Sequence, residues 1–234
     1  MTIIDIQSIL EVDRYFLSLV NGSDSLFLDN LMVMLTSGLT WIPLYLSLFY
    51  LVVKNNETMS QILLVIGCVL GCVVLSDGVT DFIVKPMVER WRPSNDPIFK
   101  YTVKVVNDMR GADYGFFSAH ASNTFSLALF FCLLVKSRIL SVSLILWSLV
   151  NCYTRMYLGL HYPSDIVCGL LWGALVALVM YYVFCRIYKA LSLSTNYVST
   201  QYTTSGYSLD DVDIVELVLL STLVLIVIKA SFAY

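Results

Sequence analysis

Apolar residues fill long uninterrupted stretches of this chain, and polar residues gather in the gaps between them. A helix that crosses the hydrocarbon layer needs about 20 mostly apolar residues. Six stretches meet that measure, at approximately 26–53, 59–84, 117–136, 138–157, 163–189 and 212–231. They show little of the period-two alternation of barrel strands, and inside lipid every backbone amide needs an internal partner, so the pattern predicts helices. The expected fold class is all-α, a polytopic bundle of six transmembrane helices forming a single domain over 1–234.

Ahead of the first span, Ile6, Ile9, Leu10, Phe16, Leu17 and Val20 recur at helical spacing, interrupted by Gln7, Glu11 and Arg14. That periodicity predicts an amphipathic helix lying in the membrane interface. No basic start followed by an apolar core opens the chain, so a cleavable signal peptide is not expected. The segment 190–211 is polar and rich in Ser, Thr and Tyr, and reads as a flexible linker to the last span. The longest polar interruption is 85–116, "KPMVERWRPSNDPIFKYTVKVVNDMRGADYGF", an insertion with three of the five prolines and a dense set of charges. Connections of that length are commonly functional.

Composition narrows the partners. At 58% hydrophobic and 13% charged, the chain is more apolar than soluble domains of its size, so the bilayer is its expected surrounding. Its 14 basic and 17 acidic residues offer no cationic surface for nucleic acid. The six cysteines lie inside apolar runs and none pairs with a histidine at metal-ligand spacing, so neither a metal, a disulfide nor a cofactor is expected.

If the spans are as drawn, the end of the second, the start of the third and the connection between the fourth and fifth emerge on one face. That face then gathers Lys85 and Arg92, Ser118 and His120, and Arg155, His161 and Asp165. Guanidinium forks match phosphate oxygens in pairs and lysine adds a point charge. Ser118, at the first turn of a helix, stands where unpaired amides favour an anion. Together these side chains describe a phosphate cradle. His161 becomes a nucleophile if its imidazole is neutral and oriented, and Asp165, four residues on and just past Pro163, has the spacing to orient it. His120 is then placed as a general acid for the departing oxygen.

The elements "KPMVERWRP", "FSAH" and "TRMYLGLHYPSD" resemble, in order, the three signature motifs of the type 2 phosphatidic acid phosphatase family, over about residues 26–189. The resemblance implies a metal-free membrane phosphatase with a covalent phosphohistidine on His161, assisted by Asp165, with His120 as acid. Lys85, Arg92, Ser118 and Arg155 would hold the phosphoryl group. Two motifs depart from the family pattern: Phe117 and Ala119 replace a proline and a glycine in the second, and in the third Thr154 replaces the serine before Arg155. Alanine keeps its backbone amide, so an anion contact by the Ala119 N–H survives if the turn needs no positive φ.

Each of these residues also has a plainer reading. His120 alone could be a satisfied structural histidine, and Arg92 and Arg155 could be interfacial anchors. Trp91, Tyr101 and Tyr114 read most simply as an aromatic belt. Asp77, Asp81, Lys85 and Glu89 share one helical stripe, on which Asp81 is expected to orient Lys85 unless Pro86 ends the helix first.

Lys54, Lys136, Arg138, Arg186 and Lys189 occupy the opposite face in short connections, which predicts a cytoplasmic side there. The site would then open to the periplasm of a bacterial inner membrane. Among lipid phosphates, undecaprenyl diphosphate is the leading expectation, with lipid A and phosphatidylglycerophosphate as alternatives. A lipid transporter or scramblase is the reading from another class.

Overall fold

The computed structural model describes residues 6–191 and 200–232, with side chains from residue 10 onward. The expected positions Ile6, Gln7 and Ile9 therefore lie outside the described side chains. Residues 192–199 of the expected linker lie outside the described residues. Helix α1 is Ile6–Val20, α2 Leu26–Thr36 and α3 Ile42–Lys54. Helix α4 runs Met59–Val88, α5 Ala119–Val135, α6 Arg138–Tyr157, α7 Pro163–Leu191 and α8 Leu209–Phe232.

All six predicted apolar segments are helical, but six full spans are not established. Helices α4, α6 and α7 are long and apolar enough to cross a membrane, and α2 with Gly38–Lys54 would make a fourth across a bend of 67°. The bend follows from Ser37, which leaves α2 with an extended backbone, and from a 3₁₀ turn at Gly38–Trp41 that closes on the α3 N-terminus. Helix α5 is a shorter apolar helix, of 17 residues. Large apolar side chains remain exposed along the helices, among them Leu63 and Leu70 on α4 and Leu171 and Leu175 on α7, as a lipid-facing surface requires.

Local chemistry starts and stops these helices. Thr58 and Gln61 form a reciprocal capping box at the start of α4, Ser118 caps α5 by accepting from the Ala121 N–H, and Ser137 does the same for Leu140 on α6. Pro163 opens α7, where its missing N–H is not needed. Within α4 the turns Val74–Gly78 and Thr80–Val84 are π-helical. Widened turns of this kind recur at functional positions. Pro86 does not end the helix: α4 continues to Val88, and Glu89 closes it in a left-handed conformation, its N–H donating to the Lys85 carbonyl at 3.0 Å.

Helices α5 and α7 approach closely because Gly169 and Gly173 lie one turn apart on α7. A Cβ at Gly169 would sit 2.6 Å from the Ser118 carbonyl oxygen, and one at Gly173 would sit 2.5 Å from that of Ser122. Small residues at this spacing allow backbone approach where lipid supplies no hydrophobic drive between helices. The contact brings the Ser118 N–H within 3.1 Å of the Asp165 carbonyl oxygen. Packing thus joins the second and third motifs directly.

Two expectations change. Helix α1 keeps an apolar face outward through Tyr15, Phe16 and Leu19, as an interfacial helix would, but it is also docked onto the bundle. Its inner face buries Leu17 and Asp13, Arg14 pairs with Asp96 at 3.2 Å, and Asn21 donates to the Tyr157 and Lys104 carbonyls. Residues 200–208, expected to be flexible, form an ordered turn. Thr203 N donates to the Tyr207 carbonyl at 2.8 Å, Ser208 N to Asn55 Oδ1 at 2.7 Å, and Tyr207 is buried. Backbone polar groups that find partners this way override a hydrophilic composition.

Candidate active site

The loop 157–163 turns between α6 and α7 at Gly159, whose φ of +67° is one that glycine adopts without strain. This turn buries His161, which is 2% exposed, behind residues 89–116. Arg92 reaches it from that segment: its Nη1 lies 2.9 Å from His161 Nε2. The same guanidinium donates to the Ala112 carbonyl at 2.6 Å and the Leu160 carbonyl at 3.2 Å. Because a guanidinium only donates, Nε2 is the accepting nitrogen and the imidazole proton belongs on Nδ1. Burial first, then the positive charges of Arg92, Arg155 and Lys85, hold this imidazole well below its ordinary pKa, so it stays neutral at physiological pH.

Asp165 is fully buried at the first turn of α7. Its Oδ2 accepts from the Tyr162 N–H at 2.9 Å and lies 3.7 Å from His161 Nδ1, beyond hydrogen-bond length. Nδ1 has no hydrogen bond among the described residues. The expected acid–imidazole pair is therefore adjacent and correctly ordered, but open. Asp165 Oδ1 is instead held by Arg90, at 2.7 Å.

Of the other expected residues, Arg92, Arg155 and Lys85 act on His161 and Ser118 touches Asp165. Lys85 and Arg92 line a cavity of about 560 Å³, with Asp81, Glu89, Asp113 and Tyr114 in its wall. Lys85 Nζ is 2.5 Å from Asp81, as the shared helical stripe predicted. Trp91 and Tyr114 pair at its edge, with ring centroids 5.3 Å apart. Arg155 projects from α6 and donates to Thr36 Oγ1 at 2.9 Å. It acts electrostatically on both His161 and His120. His120, one residue into α5, has Nε2 3.5 Å from Asn151 Oδ1. Ser118 is fully buried as the cap of α5, and Ala119 opens that helix in ordinary helical geometry, so no positive φ is demanded where the family pattern has glycine. The first N–H groups of α5 have no partner within the helix, leaving a cluster of donors at this end. Phe117 is buried against Trp172 of α7, at 6.2 Å between ring centroids.

Four contributors escaped the sequence reading. Asp13 and Arg90 form a buried ion pair at 2.6 Å, Ser164 joins both, and Tyr162 lies under the Arg90 guanidinium at 4.4 Å. Asp13 and Arg90 are 77 positions apart, and no local spacing connects them. The available signal was an acid on an amphipathic helix that carries few charges.

Below the site, a second, apolar cavity of about 340 Å³ opens among α3, α4, α5 and α6. Leu48, Val69, Leu127 and Phe131 line it, and Asn123 brings the one amide there, tied to Asp77 at 2.9 Å. Asn123 lies three residues beyond His120 on α5, about one turn deeper.

Residues 36–189 match the PAP2 superfamily. The chain is similar to the lipid A 4'-phosphatase of Bacteroides thetaiotaomicron, 35% identical over 192 residues, which is 81% of this chain and 84% of that protein. It is also similar to the lipid A 4'-phosphatase of Porphyromonas gingivalis, 33% identical over 178 residues, 75% of this chain and 74% of that one. No solved structure matches the chain.

Proposed function

Because this chain belongs to the PAP2 superfamily and is a membrane lipid phosphatase, we propose that it removes the 4'-phosphate of lipid A through a phosphohistidine at His161. The observation that carries the chemistry is the 2.9 Å contact between Arg92 and His161 Nε2. It leaves a neutral imidazole with its lone pair directed at a guanidinium that can turn to a phosphate oxygen.

In the first step the Nε2 lone pair attacks phosphorus, the N–P bond forms, and the P–O bond to the sugar breaks. His120 gives its proton to the departing sugar oxygen. In the second step water attacks the phosphohistidine, His120 accepts the water proton, the N–P bond breaks, and inorganic phosphate leaves. Lys85, Arg92, Arg155 and the first amides of α5, Ala119 among them, stabilise the charge on the equatorial oxygens. Asp165 supports the imidazole as it becomes positive. Asp81 keeps Lys85 directed at the cavity. Removing a donor aimed at such charge costs about 10²–10³ in rate.

The substrate assignment follows the relatives, and it displaces undecaprenyl diphosphate as the leading expectation. The apolar cavity beside Asn123 supports a lipid whose acyl tail lies among α3, α4 and α5 while its phosphate rises to His161. The basic residues Lys54, Lys136, Arg138, Arg186 and Lys189 belong to the opposite ends of the helices, which supports a mouth on the periplasmic side of an inner membrane.

The test is phosphate release by purified protein from lipid A, undecaprenyl diphosphate and phosphatidylglycerophosphate, with chelator present. Lipid A should turn over fastest, and His161→Ala should abolish turnover of all three. Preference for either other lipid would refute the substrate, and loss of turnover in chelator would refute the metal-free mechanism.

A further inference from the structure

Arg90 lies within the span of the first motif, between Lys85 and Arg92, but has no assigned role there; its guanidinium makes three hydrogen bonds, all to side chains around Asp165. One end of its fork meets Asp165 Oδ1 and Ser164 Oγ, each at 2.7 Å, and the other meets Asp13 Oδ2 at 2.6 Å. Asp13 is 4% exposed and comes from α1, in a different part of the chain. Its carboxylate also accepts from the Ser164 N–H at 3.0 Å and from the Ser164 hydroxyl. The Tyr162 ring closes the guanidinium face.

We propose that Arg90 and Asp13 are positioning residues for the phosphoryl-transfer step, fixing the direction in which Asp165 faces the His161 imidazole. This rests on His161 being the nucleophile. A carboxylate with no exposure persists only with a charged partner and filled lone pairs. Arg90 supplies that partner and occupies Oδ1. Oδ2, held by the Tyr162 N–H, is then the oxygen turned to Nδ1. Arg90 would by itself draw Asp165 away from the imidazole, and Asp13 offsets this by sharing the guanidinium charge. Four segments thus form one chain: Asp13 on α1, Arg90 after α4, Asp165 on α7 and His161 before it. The 3.7 Å gap to Nδ1 is short enough to close as the imidazole gains positive charge during attack. An unclamped carboxylate would have to find that orientation in each turnover.

The experiment uses the full-length protein and p-nitrophenyl phosphate, a soluble monoester whose turnover reports the chemistry without depending on lipid choice. Arg90→Ala should lower kcat about 10–100-fold while KM changes by less than about threefold, and Asp13→Asn should lower kcat about 3–10-fold. Arg90→Lys should recover only part of the loss, because an ammonium cannot span Asp13, Ser164 and Asp165 together. In an Asp165→Asn background the same Arg90 substitutions should cost less than about twofold, since the residue they act through is already gone. Equal losses in both backgrounds, or unchanged kcat for Arg90→Ala, would overturn the proposal. If Arg90→Ala fails to accumulate in membranes, Arg90→Lys and Asp13→Asn complete the same cycle. Phosphate release surviving in His161→Ala would instead refute the phosphohistidine reading on which the proposal stands.

Discussion

Gly111 offers a direct test of how the Arg92 guanidinium is held. A Cβ built there would meet Arg92 Cζ and Nε at 2.7 Å and Nη1 at 2.9 Å. Ordinary contact begins near 3.4 Å, so in Gly111→Ala the guanidinium must retreat by roughly 0.7 Å. Elsewhere an arginine end would move at little cost. Here it is fixed by the Ala112 and Leu160 carbonyls and by His161 Nε2, so retreat lengthens three hydrogen bonds to a charged group. Such bonds contribute about 1.5–3 kcal/mol each, and a displacement of about 1 Å at a reacting centre costs on the order of 10² in rate. We expect kcat/KM for p-nitrophenyl phosphate to fall about 10–100-fold, measured beside Gly67→Ala. Gly67 lies within α4 with nothing within 4 Å of its added Cβ, and alanine there should leave activity unchanged. Wild-type kcat/KM in folded Gly111→Ala would refute the claim that this placement of Arg92 matters.

Three other outcomes follow from the same geometry. Gly173→Ala puts a methyl 2.5 Å from the Ser122 carbonyl, backbone that cannot swing aside, so α5 and α7 must separate; thermal unfolding in detergent should show a loss of about 1–3 kcal/mol, and an unchanged midpoint would contradict the close packing. His161 must be neutral to attack, and burial first, then its positive neighbours, favour that state. Removing one charge in Lys85→Gln raises its proton affinity, so the acid limb of kcat/KM should move to higher pH, with a coincident limb counting against the coupling. Asp81→Asn frees Lys85 from its 2.5 Å partner and should raise KM for the lipid about 3–10-fold, whereas unaltered KM and kcat would remove Asp81 from the site.

Much of this protein was legible along the chain because its determinants are local. Apolar run length marks helices, since a backbone in lipid has no other means of pairing its amides. The order Lys85–Arg92, Ser118–His120 and Arg155–His161–Asp165 was readable because each motif is a short local stretch of chain. Even the Asp81–Lys85 pair was available, from a spacing of four on one helix.

Other features depended on partners far apart in sequence. The bend between α2 and α3 and the short α5 are tertiary features that apolar run length did not show, and they leave six full spans not established. The turn at 200–208 is ordered by Asn55 and by the burial of Tyr207, neither of which its own composition reveals. Asp13 on α1 reads as one solvated charge until folding lays it against Arg90. Hydropathy and motif order are one-dimensional and were sufficient to indicate a lipid phosphatase with two histidines. Only the close packing of α1, α5 and α7 around residues 89–116 decided which oxygen of Asp165 faces His161, because that orientation is set by contacts between segments that chain spacing does not link.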